Sequence, residues 1–251
     1  MLKQRIITAI ILLLALIALT TTAGLGVFAL ITGVLVLIGA WEWGAFAALG
    51  TKSRLAFVAS LALSLLLLAL ALGVGPELRF DTDFALGISL LGTLFWGLMV
   101  AAIALYPRAT ESWNDKSRIS VMGMISLLCT WVGLVTLKAM LANGALVIMV
   151  IIMVAAVDVG AFFTGKWLGR RKLAPALSPN KTWEGVWGGV ALNLAISLGF
   201  ALLLDHYLRP FAPIDFAVFG ALALLVAFFS VIGDLVESML KRNSELKDSG
   251  A

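Results

Sequence analysis

The stretch Ser230–Gly250, SVIGDLVESMLKRNSELKDSG, turns from apolar to charged within one helical turn. Asp234, Ser238 and Lys241 follow at spacings of four and three, which places them on one face of a helix with Arg242 beside it. Lys247 and Asp248 come next. An acid followed by a basic pair can hold a divalent cation and phosphates together. Magnesium takes one or two carboxylates plus substrate phosphates and keeps several waters. Glu237 lies four residues before Lys241, so an ordinary i,i+4 ion pair is the competing use of that acid.

A second acid, Asp158, sits inside the apolar run VIMVIIMVAAVDVGAFFTGKWLG. A carboxylate in hydrocarbon costs several kcal/mol unless paired or hydrated, and so usually marks a site. The plainer reading is a structural ion pair or a protonated buried acid. Gly160, Ala161, Thr164 and Gly165 follow at the spacing that lets another helix approach closely. A third element, Ser178-Pro179-Asn180-Lys181-Thr182-Trp183-Glu184-Gly185, gathers hydroxyls, an amide, a lysine and an acid before the next apolar run. Lysine is a good point charge for phosphate, and hydroxyls add neutral donors. For the neighbouring Arg170, Arg171 and Lys172, a topogenic or lipid-binding role explains the charge equally well. Asp158 and Asp234 come from different spans and are expected to converge on one Mg2+.

Composition removes other chemistries. With 62% hydrophobic and 13% charged residues, against about 25% charged in soluble domains, the chain is an integral membrane protein. His206 is the only histidine, which argues against His-based zinc chemistry. Cys129 is the only cysteine, so no intrachain disulfide forms. No Walker pattern is present, and basic residues without an exposed aromatic platform make no case for nucleic acid.

These residues must be positioned by membrane helices, since lipid satisfies no open strand. A span needs about 20 apolar residues. Eight candidates follow: 6–22, 25–46, 55–75, 84–106, 119–141, 145–165, 186–206 and 216–236. The expected fold is an all-α polytopic membrane bundle forming one domain over 1–251. Its N-terminal helices run from about 6 to 106 and its catalytic-side helices from about 119 to 251. One side receives Lys3, Arg5, Lys52, Arg54, Arg108, Lys116, Arg118, Lys166, Arg170, Arg171, Lys172, Lys181, Lys241, Arg242 and Lys247. The other carries Arg79 and Arg209, Lys138 near a helix end, and the acids Glu77, Asp81, Asp83, Asp205 and Asp215. By the positive-inside rule both termini are cytoplasmic. The longest polar insert, 166–185, exceeds the usual length of an unstructured loop and is expected to be functional.

Acids for a cation, basic and hydroxyl groups for phosphates, and a site at membrane depth together imply a metal-dependent enzyme of phospholipids. Ser238-x-x-Lys241-Arg242, four residues, then Lys247-Asp248-Ser249-Gly250 resembles the first half of the phosphatidate cytidylyltransferase (CDP-diacylglycerol synthase) signature. The similarity extends upstream through Gly233-Asp234-Leu235-x-Glu237-Ser238, the 178–185 segment, Asp158-x-Gly160-Ala161 with Gly165-Lys166, and Trp41-Glu42-Trp43. The resemblance implies that CTP and phosphatidate give CDP-diacylglycerol and pyrophosphate with Mg2+, the lipid phosphate attacking the α-phosphorus. It implies a bacterial inner-membrane protein with its site facing the cytoplasm, and no covalent enzyme intermediate. Asp234 would be a metal ligand, Asp158 would line the polar cavity and share the metal, and Lys181 would contact phosphate. Lys241, Arg242 and Lys247 would neutralise phosphates, with Ser178, Asn180, Thr182, Glu184, Ser238 and Asp248 around the substrates. Membrane lipids surround such a protein, and a homo-oligomer is allowed. The family signature continues through His-Gly-Gly to Asp-Arg-x-Asp and a last hydrophobic helix, whereas this sequence stops at Ala251. Residues 1–251 alone are therefore expected to be inactive or nearly so.

Two rival readings remain at this stage. An ion-coupled transporter would use Asp158 and Asp234 along an ion path, but the paired repeats and interrupted helices common in transporters are missing. Another membrane enzyme acting on a lipid phosphate would use a different donor or release a nucleoside monophosphate.

Overall fold

The structure, a computed structural model, describes residues 2–75, 79–108, 110–207 and 209–244, with the backbone alone for 2–10 and 12. Each of the eight expected spans lies on a helix: α1 Leu2–Thr22, α2 Leu25–Phe46, α3 Thr51–Ala71, α4 Thr82–Ala104, α5 Lys116–Met140, α6 Ala145–Leu168, α7 Trp183–Tyr207 and α8 Pro213–Asn243. Among the described residues seven, α2 to α8, are long and apolar enough to cross a membrane. Large apolar side chains such as Leu30, Leu63, Leu94 and Leu98 face outward. In water that pattern would be a defect; in lipid it is the expected outer surface. This is an all-α, multi-pass membrane protein.

Helix starts follow local chemistry. Asp81 accepts a hydrogen bond from the Phe84 N–H (2.9 Å), and Asp115 from Ser117 and Arg118 (2.9 and 3.0 Å). Each satisfies backbone donors that a first turn leaves open. At the start of α8, Asp215 accepts the Ala212 N–H (2.8 Å) and forms a two-pronged pair with Arg209.

Among the described residues the helices fall into two compact units, 2–97 with 111–148, and 98–110 with 149–244. In the first, α2 and α5 run antiparallel. Trp131 Nε1 donates to the Ala29 carbonyl (2.9 Å) and Trp43 Nε1 to that of Ile119 (2.8 Å). Ala40, Leu61, Val132 and Val135 fill the space between α2, α3 and α5. The Lys138 ammonium is buried and donates to the carbonyls of Thr20 (2.6 Å) and Ala142 (2.5 Å). It ties the end of α1 to the turn before α6. The basic residue placed near a helix end by sequence is thus a structural clasp.

In the second unit α6, α7 and α8 are consecutive neighbours. A Cβ on Gly160 would stand 2.5 Å from the Gly188 carbonyl oxygen, and one on Gly185 would stand 3.0 Å from that of Ala161. Contacts thus run down α7 as they run up α6, which makes the pair antiparallel. The small residues at 160–165 serve the close approach their spacing implies. Asn193 Nδ2 donates to the Ala223 carbonyl (2.8 Å) and Ser197 Oγ to that of Phe219 (2.7 Å), pinning α7 to α8. Such bonds matter because lipid removes the hydrophobic drive between helices.

The insert at 166–185 is not an irregular loop. It folds as an antiparallel hairpin of β1 Lys172–Ala174 and β2 Ser178–Thr182, with Lys172 opposite Thr182 and Ala174 opposite Ser178. The strand pairing, irregular between Lys172 and Ala174, satisfies part of the backbone that an open loop would leave to water.

Candidate active site

Two helices bring acids to comparable depth. Asp158 lies ten residues before the end of α6 at Leu168, and Asp234 nine before the end of α8 at Asn243. At 1.5 Å per residue each is about 14–15 Å inside its helix end. Both helices run towards the hairpin, so the acids share one side of the unit. The hairpin folds back onto that side rather than projecting away. Lys181, on β2, forms an ion pair with Asp234. Asp158 is electrostatically coupled to both Asp234 and Lys181. Lys181 and Asp234 are thus in contact, and Asp158 on α6 lies within electrostatic range of that pair.

The surrounding residues hold the hairpin. Glu184, in the first turn of α7, accepts hydrogen bonds from the backbone N–H groups of Arg170 (3.0 Å) and Arg171 (3.1 and 3.3 Å). Thr182 is buried, and its hydroxyl accepts the Gly185 N–H (3.2 Å), capping α7. Arg242 Nε donates to the carbonyl of Leu177 (3.3 Å) in the hairpin turn. Leu177 itself is buried. The hairpin is thus anchored from α7 at its base and from α8 at its turn, and Lys181 is carried on a fixed backbone.

Several expected substrate contacts are engaged otherwise in this structure. Ser238 Oγ donates to the Asp234 carbonyl (2.8 Å). Lys241 pairs with Glu237 (2.7 Å), the i,i+4 pairing that sequence allows. Ser178 is half-buried at the start of β2, and Asn180 is exposed on it. Lys247 and Asp248 lie outside the described residues. Sequence reasoning overlooked Asn193 and Ser197. Their signal is two polar residues at i,i+4 in an otherwise apolar span. It also gave Glu184 to substrate, missing its grip on the 170–171 backbone.

Two carboxylates fit a magnesium ion that takes its other ligands from water and phosphate. No group of three or more His, Cys, Asp or Glu occurs among the described residues.

Comparison with known proteins gives one family. The Cytidylyltransferase family profile matches residues 3–251. The phosphatidate cytidylyltransferase of Pseudomonas aeruginosa is 43% identical, over 99% of this chain and 87% of its own length. That of Haemophilus influenzae is 33% identical, over 99% of this chain and 89% of its own.

Proposed function

The chain belongs to the cytidylyltransferase family, and from that membership we propose that it is a phosphatidate cytidylyltransferase. CTP and phosphatidate are converted to CDP-diacylglycerol and pyrophosphate. The observation that supports this reading at the level of the site is the Lys181–Asp234 ion pair, with Asp158 within electrostatic range of it. Two acids on apolar helices and a lysine on a polar hairpin suit a soluble triphosphate that meets a lipid headgroup. The bacterial relatives support an inner-membrane location. The positive-inside bias supports a cytoplasmic site and cytoplasmic termini.

Asp234 and Asp158 would hold Mg2+. When bound, the ion neutralises charge on the polyphosphate and withdraws electrons from the reacting phosphorus. Phosphoryl and nucleotidyl transfer otherwise rest on positioning and charge neutralisation. Lys181 supplies a positive charge beside the acids and takes the nucleotide phosphates. An oxygen of the phosphatidate phosphate forms a bond to the α-phosphorus of CTP. The bond from that phosphorus to the α–β bridging oxygen breaks, and pyrophosphate leaves with the electron pair. Arg242 holds the hairpin turn and would supply a counterion to departing phosphate charge.

The test is turnover by the purified full-length protein in phosphatidate-containing vesicles with CTP and Mg2+. The proposal expects CDP-diacylglycerol and pyrophosphate in equal amounts. Solute movement without CTP consumption, or release of CMP, would instead support a transporter or another lipid-phosphate enzyme.

A further inference from the structure

The Lys181–Asp234 pair has a consequence for the order of binding. A carboxylate that ligates a cation must present oxygen lone pairs to it, and an ammonium against the same carboxylate occupies part of that capacity. We propose that Lys181 competes with the cation for Asp234, so that it opposes binding of metal alone and yields the acid only when nucleotide phosphates draw its ammonium away. This inference rests on the reading of Asp158 and Asp234 as cation ligands.

The surroundings favour a mobile side chain on a fixed support. The Lys181 backbone belongs to β2, whose base is held by Glu184 and Thr182 and whose turn is held by Arg242. Only the four-carbon stem is free to swing, which moves the ammonium by a few ångströms without disturbing the hairpin. Exposure sorts the two partners: the Lys181 side chain is 23% exposed and that of Asp234 54%. The lysine is thus the more enclosed partner, and the more open Asp234 carboxylate keeps oxygen surface free for a cation.

Charge gives the same order. Two carboxylates and one ammonium leave a net charge of about −1 for metal alone, against −2 without the ammonium. A triphosphate offers Lys181 an alternative partner of higher charge. Once it moves, both acids turn towards the cation. Metal and nucleotide thus favour each other's binding, and the coupling is reciprocal. The lysine serves as a nucleotide-phosphate contact and as a guard against metal without nucleotide.

The test reads Mn2+ binding without nucleotide or phosphatidate, from the free-Mn2+ EPR signal, on the full-length protein in lipid nanodiscs. Lys181→Met should bind Mn2+ about tenfold more tightly than wild type. Lys181→Arg should keep the weaker wild-type affinity. Lys172→Met removes the same charge from the exposed first position of β1 and should leave affinity unchanged. Equal or weaker binding by Lys181→Met overturns the inference, as does equal tightening by Lys172→Met. Asp234→Asn separates the two levels. If it loses Mn2+ while Lys181→Met matches wild type, only the competition falls. If Asp234→Asn binds Mn2+ like wild type, the ligand assignment falls and the competition with it.

Discussion

The α6–α7 contact makes a quantitative prediction at Gly160. Changing Gly160 to Ala places a methyl 2.5 Å from the Gly188 carbonyl oxygen, 2.9 Å from Gly189 Cα and 3.0 Å from the Gly188 carbonyl carbon. All three are backbone atoms, so no flexible side chain can turn aside. Restoring an ordinary contact of about 3.4 Å requires the helices to part by about 0.9 Å locally. Overpacking of this kind costs about 2 kcal/mol, a fall of roughly 5 °C in thermal midpoint for a chain of this size. Asp158 lies two residues away on the same helix, so the displacement also carries its carboxylate from Lys181 and Asp234. A misplacement near 1 Å in a positioned site costs up to about 100-fold in rate. Gly199→Ala, on α7 with nothing within 4 Å of its would-be Cβ, is the matched control and should be neutral or slightly stabilising. The assay is kcat/KM for lipid-product formation together with thermal unfolding in detergent. Wild-type midpoint and activity in Gly160→Ala would refute both the close approach and its link to the acid.

Other consequences can be tested alongside. Lys138→Met removes a buried ammonium from two carbonyls and should destabilise the protein by about 3 kcal/mol, measured as a lower thermal midpoint. Trp43→Phe removes the side-chain donor to the Ile119 carbonyl and should cost about 1 kcal/mol in the same measurement. Glu184→Gln weakens the grip on the 170–171 backbone, so trypsin should cut after Arg170, Arg171 or Lys172 faster than in wild type. Unchanged digestion would show that the hairpin holds without that carboxylate. Lys181→Ala should raise KM for CTP more than it lowers kcat, and an unchanged kcat/KM would count against its phosphate role.

Most of the fold is legible in the sequence because hydrocarbon imposes a coarse rule. A helix must be long and apolar, and every expected span has its helix. The close approach of α7 to α6 is legible too, because Gly160, Ala161, Thr164 and Gly165 carry no bulk on one face. The hairpin at 172–182 was not. Its three- and five-residue strands are too short for an alternating pattern, and Pro179 masks the second. At the site, Asp158 and Asp234 stand out because an acid in an apolar run is expensive. The contact of Lys181 with Asp234 depends on how the hairpin folds back, which no local pattern records. The uses of Glu184, Thr182 and Arg242 as supports share that cause. Each bonds to a backbone group, and backbone groups leave no trace in residue identity.

The central claim is that Asp158, Lys181 and Asp234 present the α-phosphorus of CTP to a lipid phosphate. It is tested most directly with CTP labelled at the α-phosphorus, supplied with Mg2+ to the full-length protein in phosphatidate vesicles, with Asp234→Asn in parallel. The account predicts that label enters the lipid fraction in wild type, with one pyrophosphate released per label, and that Asp234→Asn transfers essentially none. Label that stays water-soluble in wild type, or reaches lipid equally fast in Asp234→Asn, would contradict it.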